Sequence, residues 1–139
     1  MIQRVQTLWL LLALACMIAF ICLPFGELDL AAGTEVGYLF AYDFVGLIIP
    51  AGLGVVLSII AIFSFSKLSV QKSCVILTIM MVLVTIGITV YILCDTATAG
   101  TFRWHWETVF ALGALIFSIL ALVGVNHDIK LLRSYDRLR

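Results

Sequence analysis

Two stretches, residues 45–65 and 74–94, each run for 21 residues without an Asp, Glu, Lys, Arg or His. At helical rise each is about 31 Å long, the thickness of a bilayer's hydrocarbon core. Two further apolar runs, residues 8–25 and 109–125, flank them. A soluble chain of 139 residues, 64% of them hydrophobic, could not hide that much apolar surface from water. The four runs predict an all-α membrane protein with one domain, residues 1–139. Its expected architecture is a four-transmembrane-helix antiparallel bundle with outer loops 26–44 and 95–108. A cytoplasmic tail, 126–139, closes it with a short amphipathic C-terminal helix.

The charges predict how the bundle is oriented. Arg4, Lys67, Lys72, Lys130, Arg133, Arg137 and Arg139 lie in the amino terminus, the 66–73 hinge and the tail, and only Arg103 lies in the other two connections. Those connections carry Glu27, Asp29, Glu35, Asp43, Asp95 and Glu107. Lysine and arginine in short loops stay on the cytoplasmic side, so both termini and the hinge are expected inside. Net charge is zero, which offers nothing for nucleic acid.

The first run begins after a polar cap, residues 1–7. A positive start followed by Leu12, Ala13, Leu14, Ala15 and Cys16 imitates a lipoprotein signal peptide. However, Ala13 stands where a leucine-like residue is wanted, and the chain stays apolar past Cys16, so a retained span is the better reading. Pro24 and Gly26 end it. In the first outer loop a small hairpin turning at Gly33 is expected, and the aromatic alternation over 38–42 suits an extended segment. In the second span Pro50 predicts a kink. Gly46, Pro50, Gly54 and Ser58 recur every four residues and predict a small-residue helix-packing face. Ala111, Ala114, Ser118 and Ala121 predict a second such face on the fourth span, meeting the second span or the first. Thr78, Thr85 and Thr89 in the third span can donate to carbonyls one turn earlier and need no other partner. Trp9, Trp104 and Trp106 are expected as interfacial anchors. In the tail, Leu131, Tyr135 and Leu138 share one face while Lys130, Arg133 and Arg137 share another, which suits a helix lying on the inner leaflet.

Candidates for chemistry are few. Coupled transport needs ionisable groups within the membrane, and the four runs hold none. Asp95, His105 and Glu107 are the only metal-ligand candidates, and as solvated loop residues they predict no metal site. Cys16 and Cys74 read as packing residues. Cys22 and Cys94 both fall near the outer boundary, where a disulfide is geometrically feasible. There is no paired nucleophile and base, no glycine-rich phosphate loop and no reactive outer cysteine pair. No cofactor is expected.

The opening MIQRVQT, residues 1–7, and the closing LRSYDRLR, residues 132–139, resemble the ends of an uncharacterised family of small four-helix membrane proteins from Bacteroidota. The resemblance implies a multi-pass protein of the bacterial inner membrane and no reaction. It singles out Arg4, Arg133, Asp136 and Arg137. Together with Lys130 these would form an ion cluster, or a lipid-headgroup contact, under the bundle. The leading expectation is a non-enzymatic accessory or scaffolding subunit, partnered by lipid and by another membrane protein or its own copies. The alternatives are an oligomeric channel or passive carrier and, third, an enzyme using Asp95, Arg103, His105 and Glu107.

Overall fold

The structure, a computed structural model, describes residues 3–29, 36–64, 67–99 and 102–136. Four helices, α1 (Gln3–Cys22), α2 (Val45–Phe63), α3 (Leu68–Ala99) and α4 (Val109–Asp136), are joined at one end by a short turn and capped at the other by a small sheet. Strands β1 (Gly26–Asp29), β2 (Val36–Leu39) and β3 (Phe102–Trp104) lie in the order β2-β1-β3, both pairings antiparallel. Each helix contains a segment long and apolar enough to cross a membrane, consistent with a multi-pass membrane protein.

The helices run alternately up and down. Phe20, Leu47, Ile92 and Ala111 cluster at the capped end, Met17, Ala51, Val82 and Ala114 in the middle, and Leu10, Ala61, Val75 and Ala121 toward the termini. Neighbours around the square are α1–α2, α2–α3, α3–α4 and α4–α1. The small-residue face of α4 therefore meets α1 and α3, with α2 diagonally opposite.

One spacing recurs in all four helices. The buried residues that follow it are Gln6, Leu10, Ala13, Met17 and Phe20 on α1, and Leu47, Ala51, Gly54, Ser58 and Ala61 on α2. On α3 they are Gln71, Val75, Thr78, Val82, Thr85, Thr89 and Ile92, and on α4 Ala111, Ala114, Ser118, Ala121, Val125 and Asp128. Alternating steps of three and four average 3.5 residues, the repeat of left-handed coiled-coil packing. Small and hydroxyl side chains fill much of this seam, while Leu53, Val56, Met80, Leu83, Leu112, Ile116 and many other large apolar side chains are exposed. That distribution suits lipid, where close backbone approach and dispersion drive helix association and water exclusion does not. The seam's hydroxyls are satisfied locally: Ser58, Thr78, Thr85, Thr89 and Ser118 each donate to the carbonyl four residues earlier, at 2.7–3.0 Å.

Several expectations are revised. The four-residue stripe on α2 does not stay on one face. Pro50, Gly54 and Ser58 are buried, but Gly46 is exposed with open space beside it. Steps of four slide about 40° around a helix of 3.6 residues per turn, so three steps carry Gly46 about 120° from Ser58. The tail forms no separate helix, because residues 126–136 continue α4 without a break. No glycine or proline after Gly124 stops it. The hinge is also shorter than 66–73, since α3 begins at Leu68 and takes Lys72 into its second turn. Helix α2 continues past Pro50, which the expected kink allows. Cys22 and Cys94, whose pairing the sequence leaves open, are both free thiols. The turn expected at Gly33 lies outside the described residues, although the strands on either side pair as a hairpin requires, Asp29 opposite Val36.

At Gly54 an added Cβ would stand 3.3 Å from the terminal Cε of Met17. A methionine end moves readily, so Gly54→Ala is expected to change unfolding free energy in an SDS titration by about 1 kcal/mol or less.

Candidate functional site

Two polar constellations stand out, one at each end of the bundle. The first is in the cap. Phe25, fully buried, packs near Phe20 and Phe44 with ring centroids 6.3 and 6.0 Å away. Its N–H donates to the Leu39 carbonyl at 2.9 Å, which starts the β1–β2 pairing. On β1, Glu27 stands opposite Tyr38 of β2 and Arg103 of β3. His105 follows β3 directly in extended conformation, and the turn Trp106–Thr108 then leads into α4. The Thr108 hydroxyl lies 2.8 Å from the His105 carbonyl and 3.3 Å from that of Phe25.

His105 joins the two outer loops. Its Nε2 lies 2.8 Å from Glu27 Oε1 and its Nδ1 2.7 Å from Glu107 Oε2. A carboxylate only accepts, so both contacts are hydrogen bonds when both ring nitrogens carry protons, which makes the ring an imidazolium. The Glu27 bond, then the Glu107 bond, raise its pKa above the ordinary 6.5, and only partial burial opposes them. With both carboxylates ionised the group carries a net charge of −1.

This arrangement suits a clamp better than a metal centre. The two nitrogens face opposite edges of the ring, so the carboxylates cannot converge on one ion, and no metal-holding group occurs among the described residues. A recess of about 250 Å³, lined by His105, Trp106, Thr108 and Val109, adjoins the ring. Of the predicted enzyme residues, the structure joins His105 to Glu107, while Asp95 is an exposed residue of α3. The Arg103 side chain lies outside the described residues. Glu27 is the partner that sequence reasoning missed, 78 positions away. Nothing local in the sequence marks it.

The second constellation is at the termini end. Gln6 of α1 donates through Nε2 to Asp128 Oδ2 of α4, and both side chains are buried. Asp128 Oδ1 has no partner among the described residues. Gly124, one turn before Asp128, provides the room: a Cβ there would lie 2.8 Å from Gln6 Cγ. Gln71 is buried on α3 one turn from Val75, as Gln6 is one turn from Leu10. The acid drawn into the bundle is thus Asp128, a residue the sequence reading did not single out. The seam spacing of α4 would have found it, since 111, 114, 118, 121, 125 and 128 form one series.

Residues 2–138 match the family described as Domain of unknown function (DUF4293). The chain belongs to this family. No curated protein sequence matches it. For this DUF4293 protein the remaining predicted residues are placed as follows. Trp9 is half-buried and stacked on Phe117 at 5.9 Å, so it packs α1 against α4. Trp106 is 72% exposed and leans on Phe110 at 6.1 Å, a position that suits an interfacial ring. Lys130 is exposed. The side chains of Trp104, Arg4, Arg133 and Asp136, and all of Arg137, lie outside the described residues.

Proposed function

We propose that this DUF4293 protein is a non-enzymatic subunit of the bacterial inner membrane that packs against another membrane protein or its own copies. In this reading the termini and the 64–67 turn face the cytoplasm and the sheet-capped end faces out, as the lysine and arginine distribution favours. One observation carries it: the bundle's seam is filled level by level by the chain's own small side chains, whose hydroxyls are spent on their own helices. An interior so occupied leaves the outer surfaces as the means of acting. On those surfaces Gly46 and Gly52 of α2 and Gly87 of α3 have open space beside them, which admits a second helix backbone at close range. The outward side chains around them are large and apolar, which favours a packing role over a pore.

Mild-detergent purification from native membrane, followed by mass spectrometry, tests this reading. A reproducible partner or a second copy is expected, with recovery lost in Gly52→Leu or Gly87→Leu. Repeated recovery as a lone monomer would defeat it.

A further inference from the structure

We propose that His105 is a proton-operated latch on the cap: doubly protonated, it ties β1 of the first outer loop to the turn that opens α4, and on losing one proton it gives up that side-chain tie and leaves β1 to its backbone pairing alone. The geometry supplies both halves of the device. Glu27 and Glu107 occupy opposite nitrogens of one ring at 2.8 and 2.7 Å, so a ring with a single N–H can serve only one of them. The proton leaves for water across the part of the side chain that is exposed. A lone pair then faces a carboxylate, and two like charges are left with no cation between them. Glu107 lies two residues from His105, while Glu27 lies 78 away. Glu107 shares the short turn with His105 and stays beside the ring, whereas Glu27 belongs to a separate strand, so the remaining N–H stays with Glu107 and the side-chain tie to β1 is lost.

Among the cap's strands the other charged or titratable residues are Arg103, opposite Glu27 on β3, Tyr38, opposite Glu27 on β2, and Asp29 at the end of β1. Asp43, below β2, accepts from the Phe40 N–H, and Asp95 ends the apolar part of α3. From Val109 to Asn126, α4 has no titratable side chain. Because the imidazole's pKa is raised in the folded state, the latch contributes fully below the ordinary 6.5 and is lost as pH rises through the higher folded value. The latch concerns the cap's own closure and does not depend on the scaffolding role.

The test uses the full chain in phospholipid nanodiscs. Side-chain ¹⁵N resonances follow His105, and hydrogen exchange, corrected for intrinsic rates, follows the β1 amides. Protection of β1 is expected to fall about ten-fold as the ring loses its proton, the loss of one charge-assisted bond. The step should be absent in His105→Gln and shifted to lower pH in Glu27→Gln. Protection that stays flat through the ring's titration overturns the latch, as does the same step persisting in His105→Gln. If His105→Gln does not fold, a midpoint left unmoved by Glu27→Gln overturns it equally.

Discussion

Gln6→Leu is expected to destabilise the bundle by about 1–3 kcal/mol, the cost of leaving a buried acceptor without its donor. Interhelical hydrogen bonds in lipid average about 0.6 kcal/mol, because the separated helices find other partners. This one should exceed that average because both side chains are buried and the second Asp128 oxygen has no partner among the described residues. Asp128→Leu in the same background removes the orphaned group as well, so the double variant should recover most of the loss. SDS or steric-trap unfolding of the four proteins of the cycle measures it. A double variant as unstable as Gln6→Leu alone would mean that the pair contributes only by filling space.

Gly124→Ala should cost about 1–3 kcal/mol, the usual penalty for overpacking a filled site. The clashing atom is Gln6 Cγ at 2.8 Å, and Gln6 cannot swing aside without giving up Asp128. This is the contrast with Gly54, where only a mobile methionine end stands in the way. The penalty should largely vanish in a Gln6→Ala background, where nothing projects into the space above Gly124. The same unfolding measurement decides it, and an equal cost in both backgrounds would assign the glycine some role other than making room for Gln6.

Much of the fold was legible because membrane insertion is decided residue by residue. A run of 21 side chains without a charge crosses lipid whatever the rest of the chain does, since every backbone group is bonded within its own helix. The helical hydroxyls were legible for the same reason, as each bonds four residues back. Most of the seam could also be read: the spacing of three and four on α4 was visible from Ala111 to Ala121. Continued to Val125 and Asp128, it predicts the buried acid. The four-residue stripe on α2 misled at Gly46 because 3.6 residues per turn carries such a stripe around the helix.

Local rules thus determined the four spans, the alternation of their direction and the satisfaction of their hydroxyls. Only the tertiary structure decided which polar groups meet. Gln6 reaches Asp128 across 122 positions and Glu27 reaches His105 across 78. Neither separation has a periodicity to announce it. Contacts of that kind exist because helix packing fixes which ends lie side by side, and strand pairing fixes which residue of one loop stands beside which residue of the other.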